Sequence, residues 1–333
     1  MQKLVIIVAA GLALLAAPAV ARVEKVTVHG PSLEHNLEGN SPDRTVFVML
    51  PPGYDRSKAR RYPTVYFLHG FQSTAEGTIT WTKMEQHYEA AMAATRREFI
   101  LVVPDNDTRF GGSMYSNSVT VGDFERFNAK DLVAWIDRHY RTIARRESRG
   151  LAGHSMGGYG TFRLGMKYPE VFSVLYAMNP CCLTPRPFTA DEGRKYEDLT
   201  PEQVSKANFD TRANFAVAAA WSPNPGKPPF YADLATDKGE LDPLVLAKWH
   251  ANAPIAMLAQ YVPAMRSMSG IGLDTGDKDF VHMDDLAMHA ELQRFGIDHD
   301  WELYDGDHGN RVPQRLEKVV FPFFTRHLSF KNH

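Results

Sequence analysis

The pentapeptide Gly153–Gly157, Gly-His-Ser-Met-Gly, places Ser155 between two glycines, each two residues away. This G-x-S-x-G pattern is typical of a serine held on a sharp, strained turn between a strand and a helix. Side chains at either glycine would collide, because the backbone segments approach closely there. A serine in such a turn becomes a nucleophile once a neighbouring base takes its proton. We therefore predict that Ser155 attacks a carbonyl carbon.

The residues around the pentapeptide have the pattern that the motif requires. A short strand is predicted over 150–153, and a helix over 158–168, where Pro169 stops it. A bare G-x-S-x-G often arises as an ordinary glycine-rich turn, but a strand before it and a helix after it favour catalysis. The helix N-terminus would also stabilise negative charge that develops on the attacked oxygen.

A nucleophilic serine needs a base, and His308 has the most suitable position in the chain. It lies in the turn 305–310, after the last predicted strand and before the final predicted helix. Loops at the carboxyl ends of strands carry the functional residues of open α/β sheets. His154 is adjacent to Ser155, but we expect its ring to point away from the reaction centre.

The acid that orients the base is expected between the serine and the histidine in the chain. The loop 274–280 follows a predicted strand and contains Asp274, Asp277 and Asp279. Asp279 is favoured, because several loop residues are needed to reach from the strand end to His308. Asp277 is the alternative, and Asp274 is expected to brace the loop. The spacing does not match an EF-hand calcium loop.

Two backbone N–H groups are expected to form an oxyanion hole. One belongs to Met156, the residue after the serine, and the other to the loop that follows the predicted strand 64–68. Phe71 is the favoured donor in that loop, and Gln72 is the alternative. Losing one such donor costs on the order of 3 kcal/mol of barrier stabilisation.

Several side chains next to these motifs are candidates to line an acyl or aromatic pocket. Ordinary core packing explains each aromatic residue among them equally well. These candidates are Gln72, Trp81, Tyr115, Tyr159 and Phe280.

Short apolar runs that alternate with helical patterns must position these residues. Helical spacing is predicted over 124–140, 280–295 and 315–327. The strands are predicted over 23–28, 45–50, 64–68, 99–103, 150–153, 172–178, 271–273 and 301–304. Near-continuous apolar strands are typical of sheets covered on both faces. The chain is therefore predicted to have an α/β fold with a mostly parallel central sheet of about eight strands and helices on both faces.

The stretch 185–264 interrupts this alternation after the sixth predicted strand. It is rich in proline and charge, yet it contains helix starts. Thr-Pro-Glu-Gln at 200–203 has the form of a capping box with proline in the first turn. Asp242-Pro243 is a second start of the same kind. We predict a cap-like, ordered insertion that roofs the site.

Residues 1–21 have the form of a secretory signal peptide. Lys3 precedes an apolar run through Leu15, and the small residues Ala19 and Ala21 bracket Val20 at the expected cleavage site. The run is shorter than the roughly 18 residues that span a bilayer. We expect cleavage near Ala21, export to the periplasm or the medium, and a domain over 22–333 without a stable membrane anchor.

Composition and charge narrow the classes of function. The chain has 333 residues, of which 44% are hydrophobic and 23% charged, with a formal net charge of −2. Scattered lysines and arginines argue against nucleic acid as a partner. Cys181 and Cys182 are neighbours and cannot link distant parts of the fold, so two buried thiols are expected, with a vicinal disulfide as the alternative. No metal or organic cofactor is expected.

The sequence resembles the esterase D or putative esterase family of α/β-hydrolases. That family includes feruloyl, acetylxylan and tributyrin esterases, S-formylglutathione hydrolases and the antigen 85 mycolyltransferases. The residues that carry the resemblance are Leu68-His69-Gly70, Trp81, Pro104-Asp105, Asp131-Leu132, Ile136-Asp137, Tyr140, Gly153–Gly160 and Gly276–Asp279. In the family the acid lies in a Gly-x-x-Asp pattern, which here implies Asp279.

The residues and the resemblance imply hydrolysis of a carboxylic ester through an acyl-enzyme. The expected substrate is a small-molecule or carbohydrate-linked ester. An acyltransferase that uses the same residues is the alternative, and an inactive binding protein on this fold is a further one.

Overall fold

The structure is a computed structural model, and it describes residues 21–331. The predicted signal peptide lies outside the described residues, except for Ala21. Among residues 21–331, no helix is both long and apolar enough to cross a bilayer.

Eight strands form the central sheet. In chain order they are β1 Arg22–His29, β2 Asp43–Leu50, β3 Thr64–Leu68, β4 Ile100–Pro104, β5 Arg149–His154, β6 Val174–Met178, β7 Gly270–Gly276 and β8 Asp300–Tyr304. Their order across the sheet is β1-β2-β4-β3-β5-β6-β7-β8. β2 pairs antiparallel with β1 and β4, and all other pairs are parallel. The prediction of a mostly parallel sheet of about eight strands is confirmed.

Strand residues alternate between two buried layers, as the pleat of a strand requires. In β3, Tyr66 and Leu68 face one hydrophobic cluster, whereas Val65 and Phe67 face the other. Both faces of the sheet are therefore covered, which explains why its central strands are apolar without a polar side.

Among residues 21–331 we number eleven helices, which cover the sheet and extend beyond its edge. They are α1 Ala75–Thr82, α2 Met84–Thr95, α3 (Phe124–Arg126, a π-helical turn Phe127–Asp131 and Leu132–His139), α4 Met156–Lys167, α5 Ala190–Gly193, α6 Pro201–Ser205, α7 Phe209–Trp221, α8 Pro243–Ala251, α9 Pro254–Arg266, α10 His282–Arg294 and α11 (Val312–Arg315, a π-helical turn Leu316–Val320 and Phe321–His327). α3, α4, α9 and α10 contribute to one hydrophobic cluster, and α1, α2 and α11 to the other.

Helices α5 to α9 occupy the stretch between β6 and β7. The side chain of Thr200 accepts a hydrogen bond from the Gln203 N–H, and the Gln203 side chain accepts one from the Thr200 N–H, which completes the capping box. The Asp242 side chain caps α8 by accepting hydrogen bonds from the Leu244 and Val245 N–H groups. α9 packs against α4, so the last part of the stretch 185–264 contacts the helical layer on the sheet.

Candidate active site

The turn between β5 and α4 holds Ser155 in a strained conformation. Its φ is +58° and its ψ is −119°, a backbone conformation that residues other than glycine rarely adopt. A Cβ added to Gly153 would lie 2.2 Å from the carbonyl oxygen of Gly157, and one added to Gly157 would lie 2.0 Å from that of Leu68. Glycine is therefore required at both positions if the turn is to carry the serine.

His308 connects Ser155 to Asp279. Its Nε2 lies 2.9 Å from Ser155 Oγ, and its Nδ1 lies 2.9 and 2.8 Å from Asp279 Oδ1 and Oδ2. An ionised carboxylate only accepts hydrogen bonds, so Nδ1 carries the proton and donates it. Nε2 is then unprotonated and accepts the hydrogen bond of the serine hydroxyl. This is the tautomer that a general base needs.

The carboxylate of Asp279 is buried but well supplied with donors. Burial raises the pKa of this carboxyl, but hydrogen bonds from His308, the Val281 N–H and Asn179 outweigh the burial and hold the pKa below its ordinary value. The Val281 N–H lies 3.0 Å from Oδ1, and Asn179 Nδ2 lies 2.5 Å from Oδ2. Asp279 is therefore ionised at neutral pH beside the imidazole.

The other two aspartates of the same loop contact different groups. Asp277 Oδ1 accepts a hydrogen bond from the Gly306 N–H, 3.1 Å away. Asp274 Oδ2 accepts hydrogen bonds from Arg315 Nε at 2.7 Å and from the Tyr176 hydroxyl at 2.8 Å. Asp277 thus braces the turn that carries the histidine, and Asp274 ties the sheet to α11.

Asn179 and Tyr304 join this group although the sequence reasoning did not select them. Asn179 follows β6 with a φ of +45°, and Tyr304 ends β8. The Tyr304 hydroxyl donates to Asn179 Oδ1 over 2.6 Å. The available signal was the polar residue that directly follows a fully apolar strand at the carboxyl edge of the sheet.

His154 does not point away from the reaction centre, so that expectation was wrong. Its ring centroid lies 4.8 Å from that of His308. Burial and the nearby His308 lower the pKa of His154 to about 4, so the ring is neutral at neutral pH. Its Nε2 lies 2.7 Å from the carbonyl oxygen of His308, and an N–H there donates to that oxygen. His154 thereby holds the backbone of His308 in place.

The loop after β3 lies beside Ser155, and the His69 ring fixes the orientation of its first peptide groups. The Asn106 N–H donates to His69 Nε2 over 2.8 Å, so His69 Nδ1 carries the proton and donates to the Gly70 carbonyl at 2.9 Å. In a trans peptide the next N–H points opposite to that carbonyl, so the Phe71 N–H points away from His69. A Cβ on Gly70 would lie 3.4 Å from Ser155 Cβ, which places this loop beside the serine.

The two candidate donors of this loop differ in their backbone contacts. The Gln72 N–H donates to the Gly111 carbonyl over 2.7 Å and is therefore occupied. Within residues 21–331, the N–H groups of Phe71 and Met156 have no protein acceptor. Met156 is the first residue of α4, where an N–H has no partner inside the helix.

The pocket candidates fall into two groups. Tyr115 and Tyr159 are completely buried, and their hydroxyls donate to the carbonyls of His69 and Asn252. Neither presents surface to a ligand, which corrects the expectation that they line a pocket. Gln72, Trp81 and Phe280 are exposed.

The cysteines are neighbouring free thiols that are partly buried, with 2.9 Å between their Sγ atoms. Cys181 also donates its backbone N–H to the Ser155 carbonyl. In the part of the chain that the structure describes, no group of three or more His, Cys, Asp or Glu residues could hold a metal ion.

The family model described as "Putative esterase" matches residues 40–311 of this chain. The chain belongs to the putative esterase family. An esterase of Mycobacterium tuberculosis is 34% identical over 129 residues, which cover 37% of this chain and 26% of that protein. An endo-1,4-beta-xylanase/feruloyl esterase of Xylanibacter ruminicola is 26% identical, over 51% of this chain and 25% of that protein. The chain therefore spans about a quarter of the length of these relatives.

Two solved structures show that the chain has an α/β-hydrolase fold. A ferulic acid esterase superposes with a TM-score of 0.68 at 20% identity, covering 93% of this chain and 99% of that chain. An S-formylglutathione hydrolase from Agrobacterium tumefaciens superposes with a TM-score of 0.62 at 15% identity, covering 94% and 98%. At these identities the likeness shows the fold of the family and does not extend to a substrate.

Proposed function

We propose that the protein is a serine carboxylesterase in which Ser155 is the nucleophile, His308 the general base and Asp279 the orienting acid. The observation that carries the proposal is the hydrogen-bonded chain in which one imidazole joins the serine hydroxyl to a buried carboxylate. Membership of the putative esterase family supports the same reaction class.

In the proposed reaction, His308 Nε2 takes the hydroxyl proton as Ser155 Oγ bonds to the ester carbonyl carbon. The N–H groups of Phe71 and Met156 donate to the oxyanion, and the N-terminus of α4 stabilises its charge. Asp279 stabilises the imidazolium. The alcohol then leaves with the proton from His308, and water repeats the sequence to release the acid.

The substrate is proposed to be a small-molecule or carbohydrate-linked carboxylic ester. The names of the relatives, which include a feruloyl esterase, support this substrate class. Gln72, Trp81 and Phe280 are the exposed candidates to contact it. The reaction needs no metal or organic cofactor.

The protein is further proposed to be exported, on the strength of the signal-peptide pattern in residues 1–21. Residues 22–333 are then the α/β-hydrolase domain, with a cap-like segment over about 185–264. The segment has its own capped helices, which supports an ordered cap.

The decisive experiment labels the purified protein with a fluorophosphonate and measures hydrolysis of simple acyl esters. Ser155→Ala is expected to lose both labelling and more than 99.9% of the activity, on the order of the loss that removal of a serine nucleophile causes. Ser57→Ala, at a loop serine between β2 and β3, is the matched control and is expected to keep both. Labelling that persists in Ser155→Ala would show that another residue is the nucleophile.

A further inference from the structure

We infer that Trp81 and Phe280 form the surface that receives the leaving alcohol, and that they select esters of alcohols that carry a ring. The inference rests on the esterase function proposed above and adds the part of the substrate that is selected. It starts from a row of four rings, in the order Trp81, His154, His308 and Phe280. Successive centroids are 5.7, 4.8 and 4.5 Å apart.

The proposed base lies inside this row, and the two aromatic ends are open to solvent. Phe280 is 72% exposed and Trp81 is 42% exposed. Full burial of an aromatic ring contributes roughly 2 kcal/mol to stability. Much of that gain is not realised at Trp81 and Phe280, because large parts of both rings stay exposed to solvent. Exposed apolar surface next to a reaction centre is typical of a ligand contact.

The position of Phe280 is set by the acid loop. It directly follows Asp279, whose carboxylate bonds the base and whose carbonyl accepts a hydrogen bond from the His282 ring at 2.6 Å. The ring of Phe280 is therefore held against His308 by the same turn that positions the acid.

The chemistry of acylation defines where the alcohol lies. The bond from Ser155 Oγ to the carbonyl carbon forms, the bond from that carbon to the alcohol oxygen breaks, and the proton on His308 Nε2 moves to the alcohol oxygen. The leaving oxygen must therefore lie within hydrogen-bond distance of Nε2. The rest of the alcohol then extends over the surface around His308, where Phe280 lies against the ring and Trp81 lies one ring further along the row.

The oxyanion donors have different neighbours. The Phe71 ring packs edge-on against Phe209, with 5.2 Å between centroids, and a Cβ on Gly112 would touch both Phe71 and the Met156 sulfur. Phe71 belongs to the loop after β3, which we call the oxyanion loop. Its ring thus contacts α7 and lies beside the 111–112 turn. The ring neighbours of the base are Phe280 and His154, and Trp81 packs on His154. On this basis we place the alcohol and the acyl group on different surfaces.

Aromatic faces attract the C–H edges of other rings as well as the C–H faces of sugars, because the ring quadrupole is negative on its face. A short flexible alcohol such as ethanol offers little of either. The preferred alcohols therefore share a rigid ring whose C–H groups can contact the rings of Trp81 and Phe280. Benzyl alcohol and a sugar are two sources of it.

The test compares four esters, each with wild-type protein, Phe280→Ala and Trp81→Ala. Ethyl acetate, benzyl acetate and a 6-O-acetyl glucoside share the acyl group, and ethyl butyrate shares the small alcohol with ethyl acetate. Each variant is expected to lower kcat/KM by about two- to tenfold for the benzyl ester, the sugar ester or both. Comparison of the benzyl ester with the sugar ester shows which kind of ring Trp81 and Phe280 prefer. For each variant, the ratio of its kcat/KM to that of the wild type is expected to agree within about twofold between ethyl acetate and ethyl butyrate.

Matched variants keep the result interpretable. Phe280→Tyr and Trp81→Phe retain a ring and are expected to restore the selectivity. Leu303→Ala removes another exposed apolar side chain, 45% exposed on β8, and is expected to leave every ratio unchanged. Since Trp81 and Phe280 are exposed, their variants are expected to fold, which circular dichroism checks.

Three outcomes would overturn the inference: an equal loss for all four esters, a change that follows the acyl group, or no change in any ester. Failure of the proposed function looks different. In that case Ser155 is not labelled by fluorophosphonate, and Ser155→Ala keeps its esterase activity.

Discussion

The side-chain amide of Asn179 donates a hydrogen bond to Oδ2 of Asp279, 2.5 Å away. The amide orientation follows from charge, because the carboxylate needs a donor and only Nδ2 provides one. Asn179 Oδ1 then faces the Tyr304 hydroxyl, which donates to it. A chain of hydrogen bonds therefore runs from Tyr304 through Asn179 and Asp279 to His308, and it joins the ends of β6 and β8 beneath the base.

Asn179→Leu is expected to lower kcat and to move the acidic limb of the kcat/KM profile to higher pH. Asn179 helps to hold the pKa of Asp279 below its ordinary value, so losing the donor makes that carboxylate more basic. A carboxyl that is protonated at a higher pH no longer accepts the His308 N–H or stabilises positive charge on that ring, so activity is lost at a higher pH. The measurement is a pH–rate profile on a simple ester.

The double variant Asn179→Leu with Tyr304→Phe separates this effect from loss of stability. It leaves no buried hydroxyl unpaired, so its unfolding free energy is expected to recover relative to Asn179→Leu alone. The pH profile is not expected to recover. If the profile returns together with stability, the contact of Asn179 with Asp279 is structural only.

Asp279→Asn is expected to lower kcat by about 10³-fold or more, because an amide cannot stabilise the imidazolium and favours the wrong tautomer. Asp277→Asn is the matched substitution, and its loss is expected to be less than about tenfold, since Asp277 bonds the Gly306 N–H and not the base. Steady-state kinetics on one ester decide between them. A larger loss at Asp277 would transfer the acidic role to that residue.

His154 is expected to make stability depend on pH between about 6.5 and 4. The pKa of its buried ring falls from 6.5 to about 4, so below pH 6.5 the unfolded chain binds a proton that the folded protein does not. Its contribution is therefore fully present above pH 6.5 and is lost as pH falls, with a slope of up to about 1.4 kcal/mol per pH unit.

His154→Phe keeps a ring in the same position and removes the titration. Urea unfolding of the two proteins between pH 7 and pH 4.5 provides the comparison. The free energy of unfolding is expected to fall less steeply for the variant. Parallel curves would mean that His154 does not titrate differently in the two states.

The sequence predicted the sheet because hydrophobic patterning follows the strands directly. All eight predicted strands are present. The largest difference is in β7, which runs to Gly276 instead of ending at Leu273. Asp274 and Thr275 are polar yet buried within the strand. The cationic partner of Asp274, Arg315, is 41 residues away. Local pattern carries no information about such a partner.

The same limit explains which site residues were found. Ser155 was identifiable because steric exclusion leaves only glycine two positions to either side, a signal contained in five residues. Asn179 was missed because its contact with Asp279 spans 100 residues of chain. Tyr115 and Tyr159 were expected to line a pocket but are buried. The sequence around an aromatic residue does not distinguish a buried ring from one that lines a cleft.

The final prediction concerns the proposed cap-like segment over about 185–264, in which Phe209 packs on Phe71. Phe209 begins α7, its ring packs edge-on against Phe71 at 5.2 Å, and it is 51% exposed. Ala218 and Ala219 lie on the same helix but are completely buried, so bulky residues there would disturb packing before they reached a substrate. Phe209 is therefore an exposed position of the segment beside Phe71 at which a substitution tests an effect on the acyl group.

Phe209→Ala is expected to change the ratio of kcat/KM between octanoyl and acetyl esters of one alcohol by about threefold or more, the scale of one lost aromatic contact. Leu244→Ala, on α8 and 65% exposed, is the matched control from the same segment, and its ratio is expected to stay constant. If the ratio is fixed in both variants, the segment is scaffold. A change of equal size in both would indicate a general loosening of the segment, because it is Phe209, of these two residues, whose ring packs on Phe71.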